Sequence, residues 1–299
     1  MIYALGGGLG HLQRSLSLAK AATARGHTAT ILTNSPAYPR IADRCDLAGV
    51  TILEMPQGDE LVPAVHRVVE GRGHDAVVVD TLPRGVLGEL AAVTWRVPAV
   101  FVHRDITSAY AHQADVQRAA QRFDLMLCPG ERGPLEHENL IETKPWVLMG
   151  PEELLPRGEA RAALGCPDDR PLVVVCDTTE PRECAGLAYL AEHLREAYGD
   201  AAHVMLASLE ATWPMMRLHL GVDLLVGAAG YNTVHEARLT ATPFRAIARE
   251  RLYDLQGRRL RSHEVLDDAA LPELATRAST ADYDNGTSEA VRCIEGVVS

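Results

Sequence analysis

Two glycine-bent segments hold the residues best suited to chemistry. Near the N-terminus, Gly6-Gly7-Gly8-Leu9-Gly10-His11 follows a short apolar run and opens a helical pattern. Glycines at such a turn let a ligand approach backbone N–H groups, and a helix N-terminus favours an anion. His11 stands where that helix begins, and imidazole titrates near neutral pH, so it is a candidate general base. A helix-capping or structural histidine is the competing reading. Gly8, Gly10 and Arg14 complete a loop suited to an acceptor or a phosphate, with a solvated Arg14 as the plainer alternative.

The second segment is Gly227-Ala228-Ala229-Gly230-Tyr231-Asn232-Thr233-Val234-His235-Glu236, after the apolar run Leu224-Leu225-Val226. Here the amides of Gly230, Tyr231, Asn232 and Thr233 are placed to meet a phosphate, and Glu236, a turn further on, to accept two ribose hydroxyls. A tight turn followed by an exposed Glu is the bland reading. Downstream, Arg249, Arg251, Asp254 and Gln256 combine cations, an acid and an amide in one loop. Such groups can neutralise a leaving diphosphate and hold sugar hydroxyls.

Several better-known motifs are excluded. The first loop is not a P-loop, and the third glycine of a dinucleotide fingerprint would fall at His11. His103-Arg104-Asp105 spells a kinase tripeptide without the rest of the kinase set. It follows an apolar strand, which makes His103 and Asp105 candidates for acceptor contact or for orienting His11. His235-Glu236 and His137-Glu138 do not complete a zinc helix, because Leu239 and Ile141 stand at the last position. Asp282-Tyr283-Asp284 lies beyond the sheet pattern, so no metal site is expected.

The elements that must position these residues alternate along the chain. Strand-like runs at 2–5, 28–33, 50–53, 76–79, 99–102 and 125–127 are separated by helical patterns at 12–25, 61–70, 85–95 and 109–122. This is the spacing of parallel βαβ units. The Pro- and Gly-rich stretch 150–158 reads as a linker. After it, strands at 172–176, 203–207, 224–227 and 244–248 alternate with helices at 182–198, 231–239 and 253–261. The expectation is two doubly wound, Rossmann-like domains, 1–149 and 150–299, facing a cleft, with a last helix near 289–298 packing back on the first. A length of 299 residues supports two domains. A formal charge of −11 disfavours nucleic-acid binding. No apolar run is of membrane-spanning length, and six scattered cysteines suit a reducing cytoplasm. Oligomeric state is not legible.

Taken together, the two turns resemble those of GT-B glycosyltransferases, particularly the branch of the bacterial peptidoglycan N-acetylglucosaminyltransferase. The stretch 6–27 is similar to that family's glycine-histidine loop and first helix, and 226–260 to its donor-binding region. Gly10-His11-Leu12-Gln13-Arg14 also resembles nucleotide-sugar hydrolases of the same fold. The resemblance implies a metal-independent transfer from a nucleotide-diphospho-sugar, a UDP-sugar first, to an acceptor hydroxyl, with no resident cofactor; the acidic charge favours a small-molecule acceptor over a lipid carrier. His11 would be the base, Gly230 to Thr233 would hold the diphosphate, Glu236 the ribose, Arg249 or Arg251 the leaving charge, and Asp254 and Gln256 the donor sugar. Hydrolysis, or an inactive binding protein, are the alternatives. One departure is the loop Asp177-Thr178-Thr179-Glu180, where the family has glycine and serine.

Overall fold

A computed structural model describes the chain except residues 46, 72, 167–168, 179–180, 252, 267–270 and 275–283. The Asp282-Tyr283 pair and Thr179 therefore lie outside the described residues. The chain forms two units. The first comprises Met1–Leu148, 253–254 and Asn285–Ser299; the second runs through Met149–Arg251 and continues from Leu255.

In the first unit, seven strands make one parallel sheet: β1 (Ile2–Tyr3), β2 (Ala29–Thr33), β3 (Val50–Glu54), β4 (Val77–Asp80), β5 (Ala99–Val102), β6 (Leu125–Pro129) and β7 (Leu140–Thr143). Their order is β3-β2-β1-β4-β5-β6-β7, with every pair parallel. The strands Val77-Val78-Val79-Asp80 and Ala99-Val100-Phe101-Val102 are buried along their whole length, as a sheet covered on both faces requires. Tyr3, Val79, Phe101 and Met126 build the core on one side, and the helices Leu9–Thr23 and Thr287–Val298 pack against each other within the same unit. The chain winds outward from β1 to β3, then returns to place β4 on the other side of β1. That reversal makes the β1/β4 boundary the switch point, where loops at the carboxyl ends of strands part and leave a crevice.

In this unit, β7 and the segment 85–95 differ from the sequence pattern. β7 was not foreseen: three of its four residues face partly or wholly outward, and Glu142 interrupts the apolar run, as suits an edge strand. The helix expected over 85–95 is a series of turns. Gly85 and Gly88 take left-handed φ values of +81° and +89°. The Glu89 carboxylate accepts from the amides of Val86 (3.2 Å) and Leu87 (2.8 Å) and from the Tyr3 hydroxyl, capturing donors that a helix would orient along its axis.

In the second unit, β8 (Leu172–Cys176), β9 (His203–Ala207), β10 (Leu224–Ala228) and β11 (Phe244–Ile247) form a parallel sheet ordered β11-β10-β8-β9. Its switch point is the β8/β10 boundary. The helix Pro181–Tyr198 leaves β8, and the helix Tyr231–Leu239 leaves β10. The helix expected at 253–261 is a single turn, Gln256–Arg259. Among the described residues no helix is long and apolar enough to cross a membrane.

Candidate functional site

In the first unit, chemistry gathers at the β1/β4 switch point. The chain leaves β1 through Gly6 to Gly8 and enters the helix Leu9–Thr23, which presents His11 on its first turn. Gly7 takes φ +76°, a left-handed value open to glycine. The amides of Gly6 and Gly7 donate to Asn34 Oδ1 at 3.0 and 3.2 Å, so these two donors are held by the exit of β2. Gly8 and Gly10 crowd no side chain; a Cβ on Gly10 would enter open space. Gly6 is different: a Cβ there would come within 2.4 Å of His11 Nε2. The absence of a side chain at position 6 is what makes room for the imidazole.

His11 Nδ1 lies 2.6 Å from Asp80 Oδ2. Asp80 ends β4 and is 1% exposed. Arg14 grips the same carboxylate, from Nε to Oδ1 at 2.8 Å and from a terminal nitrogen to Oδ2 at 2.6 Å, and also reaches Thr81 Oγ1 at 3.1 Å. Burial alone raises the pKa of such a carboxyl, but the charges of Arg14 and His11 outweigh it and hold Asp80 well below the usual carboxylate range. Thr81 sits at φ +67°, an uncommon value for a β-branched residue, directly after the clamped acid. Because an ionised carboxylate only accepts hydrogen bonds, Nδ1 is the nitrogen of His11 that donates to Asp80, which leaves Nε2 as the nitrogen that can exchange a proton. A neutral imidazole oriented this way can take a proton from a hydroxyl, and the carboxylate then stabilises the imidazolium.

The structure revises two expectations here. Arg14 is neither an anion receptor nor a solvated side chain; it is buried at 1% exposure beneath His11, because three residues along a helix bring it to the same face. Asp80 was missed. The strand was read as ending at Val79, one residue short of the acid at its carboxyl end.

His103 is also placed differently from the expected acceptor contact. It is fully buried, stacked on Phe101 at 5.7 Å, and its Nε2 accepts from the Leu135 amide at 2.9 Å. Burial pushes its pKa down to about 4, so it is neutral and structural. Asp105 lies partly exposed after β5. Asp254 belongs to the first unit, where Arg104 binds it at 3.2 Å. Beside it, the Tyr253 ring packs on Tyr110 at 4.5 Å.

In the second unit, Gly230 caps the helix Tyr231–Leu239 in an extended conformation and brings no side-chain acceptor to the first turn. Arg259, buried, donates to the Ala229 carbonyl at 2.7 Å and so shapes the turn. Tyr231 is buried with its ring 4.4 Å from that of His235, while Asn232 and Thr233 are partly exposed. Glu236 is buried near Cys176 at the end of β8; burial first, and Glu236 next, push that thiol up to about 12. Gln256 is buried, and its Oε1 accepts from the Arg249 amide at 3.0 Å, so the oxygen foreseen for a sugar holds the loop after β11. Arg251 pairs with Glu183 at 2.6 Å. Among the described residues no group of three His, Cys, Asp or Glu is placed to hold a metal.

No family model and no curated protein matches the chain. Solved structures do. The spinosyn forosaminyltransferase SpnP superposes with a TM-score of 0.67 at 14% identity, covering 99% of this chain and 98% of that one. The glycosyltransferase of kitacinnamycin gives 0.63 at 13% identity, over 100% and 98%. SsfS6 of Streptomyces sp. SF2575, complexed with thymidine diphosphate, gives 0.53 at 12% identity, over 83% and 81%. The fold is GT-B. Each half of this GT-B chain carries a glycine-containing turn at the switch point of its own sheet. One turn delivers His11 to Asp80, and the other frees the N-terminus of the helix Tyr231–Leu239.

Proposed function

We propose that the chain is a glycosyltransferase that moves a sugar from a nucleoside-diphospho-sugar to an acceptor hydroxyl, with His11 as the general base. The observation that carries this reading is the 2.6 Å contact between His11 Nδ1 and Asp80 Oδ2 at the β1/β4 switch point of a GT-B fold. The acceptor hydroxyl gives its proton to His11 Nε2 as its oxygen attacks the anomeric carbon. The bond from that carbon to the diphosphate oxygen breaks, and the diphosphate leaves with the electron pair. Asp80 stabilises the imidazolium, while the first-turn amides of Tyr231 to Thr233 and the Arg249 side chain stabilise the leaving charge. In this reading the positive charge at the leaving group comes from the protein, so EDTA leaves turnover unchanged.

Glu236 binds the ribose. The neighbours SsfS6 and a plant glycosyltransferase are complexed with thymidine diphosphate and UDP-L-rhamnose respectively. Uridine and thymidine nucleotides are therefore the donors to test first. The likeness of 6–27 to the peptidoglycan branch adds UDP-N-acetylglucosamine. The six cysteines stand outside any disulfide, which accords with a reducing, cytoplasmic setting.

The test is release of nucleoside diphosphate from a panel of UDP- and TDP-sugars, with and without a panel of hydroxyl acceptors. Acceptor-dependent release with a glycosylated product supports transfer. Equal release without acceptor would replace it by hydrolysis, and no release from any pair would remove the enzymatic reading.

A further inference from the structure

The Arg251–Glu183 pair has a position in the topology that bears on the donor. Glu183 stands on the first turn of the helix Pro181–Tyr198, which leaves β8, and Arg251 follows β11. In the sheet these strands flank β10 on either side. The pairing of β10 with β11 continues to the glycine turn, where the Ala229 amide donates to Ile247 O at 3.0 Å. A link between the segments leaving β8 and β11 therefore joins the elements on either side of the exit of β10, from which the glycine turn leads into the helix Tyr231–Leu239.

The pair is also incompletely satisfied. Arg251 holds Glu183 Oε1 at 2.6 Å, while Glu183 Oε2 is buried without a hydrogen-bond partner among the described residues. The Glu183 side chain is 12% exposed and that of Arg251 33%. A buried carboxylate oxygen left unpaired costs free energy, so this resting arrangement is open to replacement by a better anion for Arg251.

We propose that Glu183 is an internal competitor of the donor: its carboxylate occupies Arg251 beside the strand that leads into the glycine turn, and the donor's diphosphate takes Arg251 from it. This rests on reading that turn as the donor site. A diphosphate carries more charge than a carboxylate and presents more acceptor oxygens to a guanidinium. While Arg251 stays with Glu183, however, an arriving diphosphate meets a negative group instead of a free cation. Glu183 thus lowers donor affinity and ties nucleotide binding to the opening of the pair.

The experiment is calorimetric titration of the full chain with UDP and TDP, and with uridine and thymidine as phosphate-free controls. Glu183→Gln keeps the shape and removes the charge; it is expected to tighten whichever diphosphate binds by about fivefold and to leave the nucleoside unchanged. Glu183→Ser, which withdraws the group altogether, is expected to do the same. Arg251→Gln should weaken the diphosphate by a similar factor, and in that background Glu183→Gln should have no effect. Unchanged or weaker binding in both Glu183 variants, with wild-type binding intact, would overturn the proposal. So would the same tightening without Arg251. Absence of binding to wild type and every variant would instead overturn the donor-site reading, and this inference with it.

Discussion

The imidazole of His11 and the carboxylate of Asp80 meet at 2.6 Å although 69 residues separate them in the chain. They meet because β1 and β4 are neighbours across the point where the sheet reverses its winding. The acid ends one strand, and the base opens the helix after the other. Arg14, from the same helix as His11, closes on the carboxylate from beneath. A strand end, a helix start and one buried guanidinium thus orient the imidazole.

Asp80→Asn removes the negative charge that both His11 and Arg14 face and turns one of the two accepting oxygens into an amide donor. Turnover should fall by about 10²-fold or more, and stability by about 3 to 5 kcal/mol. The double variant Asp80→Asn/Arg14→Gln buries neither charge. Denaturant unfolding should show it recovering much of that stability, while its turnover stays low.

Gly6 and Gly7 should separate crowding of the base from backbone strain. In Gly6→Ala the new methyl group would lie 2.4 Å from His11 Nε2 and must displace the ring, so turnover should fall nearly as far as in a His11 deletion. At Gly7, φ is +76° and a Cβ meets nothing within 4 Å. Gly7→Ala should cost about 1 kcal/mol of stability and leave the position of His11 intact. Equal kinetic damage in the two variants would argue against a special role for the space at Gly6.

His103 gives a pH signature of stability. Its folded pKa, about 4, lies below the ordinary imidazole value of 6.5. The unfolded chain therefore binds a proton, as pH falls below the ordinary value, that the folded chain refuses. The stabilisation is complete above the unfolded pKa, declines as pH falls and levels off below the folded one. Urea midpoints at neutral pH and at about pH 5 should differ less in His103→Gln than in wild type.

Gly85→Ala tests the turn that replaces the expected helix. The position has φ +81°, and an added Cβ would approach the Glu89 carboxyl carbon to 2.4 Å. A loss of about 2 kcal/mol is expected in thermal or denaturant unfolding. A gain of stability would show that this segment prefers the helix its sequence pattern suggests.

The alternation of strands and helices was legible because buried parallel strands such as Val77-Val78-Val79 read as apolar runs between amphipathic stretches. The helix Tyr231–Leu239 lies where the glycine turn and the following pattern place it. β7 was hidden because an edge strand turns polar residues to solvent. The helix pattern at 85–95 misled because its periodicity does not reveal left-handed glycines or a buried glutamate collecting amides. At the site, the glycine-histidine loop could be read locally, whereas Asp80 acquires its meaning only when β4 is laid beside β1. Its signal was present in Val77-Val78-Val79-Asp80, a buried strand ending in an acid at its carboxyl edge. The pairing of Gln256 with the Arg249 backbone and of Arg104 with Asp254 depends on tertiary approach, which residue type alone does not disclose.

The central claim is tested most directly by measuring His11→Ala and wild type side by side, for steady-state transfer and for equilibrium binding of the nucleoside diphosphate. The account predicts a fall in turnover of about 10²-fold or more with the dissociation constant essentially unchanged, because the base acts on the acceptor while the second unit holds the diphosphate. Wild-type turnover in His11→Ala would contradict it.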